Sequence, residues 1–200
     1  MADIVYVYRS KVYLNLTNEC PCSCTFCIRK NGDSIGDADM MWHKTTPTLD
    51  EVIAAVDSFD FTKYDEVIVC GYGEPTCTFD VLTATCRHLK EKFGIRIRIN
   101  TNGLGNLVNK RDVVKEFCEN IDSVSISLNA PDAEKYAALT NPKFGLQSFD
   151  AMLSFAKECK EYLDDVHFSV VDVISEEDIA ACRKLADSIG IPLRVREYEH

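Results

Sequence analysis

Four thiols fall within the eight residues Cys20-Pro21-Cys22-Ser23-Cys24-Thr25-Phe26-Cys27, more than a hydrophobic core requires. They follow directly on the extended apolar run Val12-Tyr13-Leu14-Asn15-Leu16-Thr17, so a strand delivers the chain into a loop crowded with soft ligands. Thiolates bind zinc, copper(I) or iron–sulfur clusters, and they also pair as disulfides. A four-thiolate zinc site usually draws on two separated Cys pairs, and one contiguous run fits that pattern less well. The ferredoxin spacing C-x2-C-x2-C is absent.

Ten cysteines in 200 residues, with no apolar signal core near Met1, read as reduced thiols rather than a disulfide framework. A cytoplasmic location follows as an expectation, since no run approaches membrane-span length. The net charge of −10 argues against a nucleic-acid partner, because phosphate binding rests on clustered Lys and Arg. At 46% hydrophobic and 27% charged, residues 1–200 are expected to form a single domain.

The elements that must position the thiols alternate along the chain. Val5-Tyr6-Val7-Tyr8 and Lys11 to Thr17 predict a hairpin turning at Arg9-Ser10. Ile28 to Thr46 is polar and irregular, a length of loop that is usually functional. Thr48 with Glu51 forms a capping box, and Val52, Ile53, Val56 and Phe59 share the face of the helix that follows. Glu66 to Cys70 reads as a buried strand ending in Gly71-Tyr72-Gly73-Glu74-Pro75-Thr76. Further helices are expected over Phe79–Phe93, Lys110–Asn120, Asp132–Leu139, Ser148–Tyr162 and Glu176–Ile189. Strands are expected at Ile95–Thr101, Ser123–Asn129, His167–Val173 and Pro192–Tyr198. Six strand–helix alternations imply a parallel α/β sheet, read here as a partial (β/α)6 TIM-like barrel, with an open doubly wound sheet as the other arrangement. In either, ligands gather at the C-terminal ends of the strands, where the polar and glycine-rich stretches fall.

Plainer readings cover several residues. Trp42 is expected to pack and His43 to be solvated. Cys86, Cys118, Cys159 and Cys182 sit at helical spacing with apolar neighbours and read as core thiols, and Cys70 and Cys77 as packing. Gly71-Tyr72-Gly73 is not a dinucleotide fingerprint, because Thr76 stands where the third glycine belongs.

With Cys20, Cys24 and Cys27 as the set, C-x3-C-x2-C preceded by Thr17-Asn18-Glu19 resembles the cluster motif of the radical SAM superfamily. The resemblance implies that these three thiols hold three irons of a 4Fe-4S cluster. The fourth iron is left to the amino and carboxylate groups of S-adenosylmethionine. Phe26 matches the family's residue near the adenine. Gly71, Gly73 and Glu74 match its second-strand motif, which receives the methionyl amine. Asn102, Ser127 and Asn129 match positions holding the ribose and the methionyl carboxylate. Val170 to Val173 would line the adenine, and Arg194 or Arg196, of which Arg196 is preferred, would pair with the carboxylate. Cys22 departs from the family pattern and is read as a spectator. At a finer level the Gly-Tyr-Gly-Glu-Pro-Thr run resembles the TatD-associated radical SAM proteins.

The activity so implied is reductive cleavage of S-adenosylmethionine to a 5′-deoxyadenosyl radical that abstracts hydrogen from a substrate. An external electron donor such as a flavodoxin or ferredoxin would be needed. The substrate stays open: a small molecule under a lid formed by residues 28–46, or a partner protein approached by a compact activating enzyme. A non-catalytic iron–sulfur or zinc-binding module is the alternative from another class.

Overall fold

Arg9 and Ser10 both take left-handed backbone, φ 49° and 61°, as a two-residue hairpin turn requires. They join β1 (Val5–Tyr8) antiparallel to β2 (Lys11–Leu14), Val5 facing Leu14 and Tyr8 facing Lys11. The computed structural model describes residues 2–198. From β2 onward every pairing is parallel: β3 (Glu66–Val69), β4 (Arg96–Thr101), β5 (Ser123–Ser127), β6 (Asp165–Val171) and β7 (Leu193–Arg196) follow in spatial as in chain order.

The sheet curls. Tyr6 on β1 and Arg194 on β7, from its two outer strands, line one and the same cavity. The expected partial barrel is therefore the architecture, not the open doubly wound sheet.

Helices cover the outer face. They are α1 (Leu49–Asp57), α2 (Phe79–Phe93), α3 (Gly105–Asn109), α4 (Val114–Cys118), α5 (Ala133–Thr140), α6 (Gln147–Cys159) and α7 (Glu176–Ile189). Alternation along the strands sends Val67, Val69, Ile97, Ile99, Val124, Ile126 and Phe168 outward into a core with Val52, Leu82, Leu89, Phe155 and Ala186. Burial of each large aliphatic side chain there contributes roughly 1.5–3 kcal/mol. Cys86, Cys118, Cys159 and Cys182 belong to this core, as expected. Thr48 caps α1, accepting from Glu51 N at 3.3 Å while Glu51 Oε2 accepts from Thr48 N at 2.8 Å.

The helix expected over 110–120 divides differently. Lys110 takes left-handed backbone (φ 52°) and closes α3. The Asn106 side chain then accepts from Val113 N at 2.9 Å and Asp112 from Val114 N at 3.0 Å, so a separate short helix starts beyond Asp112. Such local side-chain bonds compete with helix continuation. The other element ends differ from expectation by up to three residues.

The 28–46 segment is anchored rather than free. Ala38 and Met41 are buried with Tyr6 and Tyr72 in a second apolar cluster, against which Trp42 packs. His43 corrects its expectation: it is buried, with Nε2 3.0 Å from the Asn15 carbonyl.

Candidate functional site

The cysteine loop is stitched to a distant part of the chain. Ser23 N donates to Thr140 O and Thr25 N to Leu139 O, each at 2.9 Å, and Lys143 N donates to Pro21 O at 2.7 Å. These bonds hang the loop on the C-terminal end of α5. On its other side Glu74 N donates to Glu19 O at 2.7 Å, tying the loop to the turn after β3.

That turn needs its glycines for close approach. A Cβ on Gly73 would lie 2.3 Å from Thr17 O and 2.7 Å from Glu19 O, both backbone. On Gly71 it would lie 2.2 Å from Asn15 Oδ1. Asn15 was not singled out in the sequence, yet it is fully buried and holds three segments together. Its Nδ2 donates to Met41 O at 2.7 Å, its Oδ1 accepts from Tyr72 N at 3.2 Å, and its own carbonyl meets His43. The available signal was a polar side chain inside an otherwise apolar strand run.

Cys20, Cys24 and Cys27 are half-buried, whereas Cys22 is 6% exposed. Hydrogen-bonding contact with Cys20 and Cys24 pushes the Cys22 thiol far up, with burial adding to the shift. The same contact pulls Cys20 and Cys24 below the ordinary thiol value, against burial, and Arg29 and Lys30 assist at Cys24. Within the run, Cys22 is thus set apart from Cys20 and Cys24, its thiol pushed up where theirs are pulled down. Cys77 is pushed up to about 12, chiefly by burial.

Glu74 is 4% exposed and hydrogen-bonded through both carboxylate oxygens. Its Oε1 accepts from Thr76 N (3.2 Å), Thr76 Oγ1 (2.8 Å) and Thr101 Oγ1 (2.6 Å), and its Oε2 from Asn102 N (2.8 Å). Burial raises its pKa and these donors offset the rise only in part. Asn102 then turns its side-chain amide toward sulfur, with Nδ2 3.9 Å from Cys20 Sγ and 3.8 Å from Cys22 Sγ.

One cavity of about 220 Å³ gathers these groups at the C-terminal ends of the strands. Its walls include Cys20, Cys24, Cys27 and Phe26 from the loop, and Gly73 and Glu74 from the turn after β3. Asn102, Ser127, Asn129 and Arg196 come from β4, β5 and β7 or the residues just beyond them. Asn129 adopts left-handed backbone, φ 58°. Two expectations need correction. Gly71 faces the adjoining cavity instead, because its Cα packs on Asn15. Of Val170 to Val173 only Val171 reaches this cavity, since strand alternation sends Val170 outward into the core. Asn100 and Thr101, from the polar stretch expected to close β4 at the mouth of the site, also line it, as do Tyr136 and Thr140, which were not foreseen.

Among the described residues no three His, Cys, Asp or Glu side chains converge on a point where one metal ion would sit. The three half-buried thiols line the cavity together with the buried Cys22. That donor set, soft and distributed, fits a polynuclear iron–sulfur group.

The Radical SAM superfamily profile matches residues 14–189. The chain belongs to the radical SAM superfamily. A probable GTP 3′,8-cyclase of Pyrococcus horikoshii is 26% identical over 188 residues, 93% of this chain and 55% of that protein. A GTP 3′,8-cyclase of Limosilactobacillus fermentum is 30% identical over 130 residues, 64% of this chain and 36% of the relative. The chain thus spans about half or less of the length of these curated relatives. Among solved structures, methylornithine synthase superposes with a TM-score of 0.66 at 15% identity, covering 98% of this chain and 55% of the other. A radical SAM methyltransferase from Sphaerobacter thermophilus gives 0.61 at 16% identity, covering 96% and 68%. At those identities the structures establish the radical SAM barrel fold alone. No helix among the described residues is long and apolar enough to cross a membrane.

Proposed function

We propose that this radical SAM protein is an enzyme in which Cys20, Cys24 and Cys27 hold a 4Fe-4S cluster, with S-adenosylmethionine bound beside it. When bound and reduced by an external donor such as a flavodoxin or ferredoxin, that pair supplies a 5′-deoxyadenosyl radical for hydrogen abstraction. The observation that carries the reading is the convergence of the three thiols with Glu74, Asn102, Ser127, Asn129 and Arg196 on one cavity.

The chain's own residues bind, orient and exclude water. Glu74 accepts from the Thr76, Thr101 and Asn102 donors and so locks the turn after β3 in place. Rigidity of this kind serves catalysis by fixing the bound group in one geometry. In this reading its carboxylate presents negative charge to the methionyl ammonium. Arg196 on β7 offers the opposite charge for the methionyl carboxylate. Asn102 and Ser127 supply hydrogen bonds to the ribose, and Phe26 an apolar surface for the adenine. In this reading Cys22, which falls outside the C-x3-C-x2-C set, takes no part as a ligand. The finer likeness to TatD-associated proteins rests on the Gly-Tyr-Gly-Glu-Pro-Thr run.

Anaerobic reconstitution with iron and sulfide, followed by reduction with S-adenosylmethionine present, tests the reading. Formation of 5′-deoxyadenosine is expected. A protein that takes up zinc alone and yields no 5′-deoxyadenosine would sink it and favour a structural metal module.

A further inference from the structure

Parallel strands covered on both faces normally read apolar throughout. β4 does not. Its sequence Arg96-Ile97-Arg98-Ile99-Asn100-Thr101 alternates, and pairing carries the polar positions across the inner face. Asn100 lies opposite Ser125, Ser125 opposite His167, and Ser169 opposite Arg194. The result is a second cavity of about 400 Å³ inside the curl of the sheet, within the usual size of a small-molecule site. It adjoins the cavity of the cysteines, since Cys70, Asn100, Arg196 and Glu197 line both.

The chamber's charge opposes that of the chain. Arg9, Lys11, Arg98, Arg194 and Arg196 line it, with Glu197 the one carboxylate among its lining residues, in a protein of net charge −10. Two further acids, outside its lining, pair with residues that line it. Glu66 Oε2 lies 3.4 Å from Arg98 Nη2, and Asp165 Oδ1 lies 3.7 Å from His167 Nδ1. Even so, Arg98 is left incompletely matched: its side chain is 13% exposed and its Nε is buried without a hydrogen-bond partner. A buried donor on a cationic group is costly to leave unmade, and such an orphan calls for an explanation. That Nε is closed off from the chamber, but the rest of the Arg98 side chain lines it, and a guanidinium fork binds phosphate or carboxylate through paired donors.

We infer that the chamber binds an anionic small-molecule substrate by a phosphate or carboxylate group seated at Arg98 and Arg194. The inference deepens the radical SAM reading and rests on it, since the anchored molecule would extend toward Asn100 and the cofactor cavity. Clustered positive charge at the chamber concentrates such anions in an otherwise acidic protein.

Calorimetric titration of the reconstituted full chain with inorganic triphosphate, GTP and citrate, at low and high salt, tests it. At least one probe is expected to bind, more weakly at high salt. Phosphate probes alone would assign the group as phosphate, and citrate alone as carboxylate; either outcome supports the inference. Arg98→Gln and Arg194→Gln should each weaken binding roughly tenfold or more, the scale of a charge-assisted hydrogen bond. Arg98→Lys should restore part of the loss at Arg98. Arg194 lies on an exposed strand, so its variant keeps the test alive if Arg98→Gln misfolds. Cluster absorbance should match wild type throughout. The inference is overturned if no probe binds, or if both glutamine variants bind as wild type does. Failure of the cofactor reading shows separately, as absence of 5′-deoxyadenosine in a protein that still binds the probe.

Discussion

Replacement of Gly73 by Ala should part the cysteine loop from the turn after β3. The new methyl would meet Thr17 O at 2.3 Å and Glu19 O at 2.7 Å, and neither can rotate away because both are backbone. To reach ordinary contact the turn must retreat by about 1 Å. That retreat stretches the bond from Glu74 N to Glu19 O, now 2.7 Å. Overpacking of this kind costs roughly 1–3 kcal/mol, and the weakened hydrogen bond adds about 1 kcal/mol. Together these give a loss of about 2–4 kcal/mol, or a melting point roughly 5–15 °C lower for a chain of this size. Circular dichroism melts under anaerobic reducing conditions measure the loss, and iron analysis after reconstitution measures the damage to the cysteine loop. Gly32→Ala is the control: a Cβ there meets nothing within 4 Å, so stability should stay within about 0.5 kcal/mol of wild type. A Gly73→Ala protein that melts with wild type and binds full iron would refute the reasoning.

Three further outcomes follow from the geometry. Cys22→Ala should keep the cluster, whereas Ala at Cys20, Cys24 or Cys27 should abolish it; equal iron loss in all four variants would point to a four-thiolate site. Asn15→Ala should cost about 2–5 kcal/mol by stranding Met41 O and Tyr72 N, and trypsin should then cut faster at Arg29, Lys30 and Lys44. At Asp122, burial alone would raise the carboxyl, but the Lys90 ammonium and the Ile97 N–H at 2.7 Å outweigh it, so its pKa falls below the ordinary 3.8. A depressed carboxyl stabilises the fold above its unfolded pKa, and this contribution is lost as pH falls through the folded value. Asp122→Asn should therefore be less stable at neutral pH and show a shallower decline below about pH 4 in denaturant titrations.

Much of the arrangement was legible because local chemistry and periodicity agreed. The capping box at Thr48 read correctly from neighbours in sequence, and so did the placing of the thiol run and the Gly-Tyr-Gly-Glu-Pro-Thr run in turns beyond β2 and β3. Where position depended on distant contacts, the reading failed. Gly71 was taken as cofactor-facing although its packing against Asn15 turns it to the other cavity. Val170 and Val171 differ only in which face alternation gives them. The helix over 110–120 was divided by the side chains of Asn106 and Asp112, which apolar periodicity does not register. The alternation of Arg and Ile in β4 was visible, but its meaning depends on the sheet curling far enough to enclose Arg98 while Arg96 stays exposed.

The bonds from Ser23, Thr25 and Pro21 to residues 139–143 also set an order of events. Half of the scaffold around the cysteine loop is made of chain synthesised more than a hundred residues later. Contacts so remote form late, after the loop-closure entropy between them has been overcome. A nascent chain that has emerged only as far as α4 carries all four thiols without the frame that spaces them. Metal delivery timed before residue 143 leaves the ribosome would meet a flexible thiol-rich segment, whereas delivery afterwards meets a shaped one. Chains truncated ahead of α5 are thus expected to bind iron without selectivity.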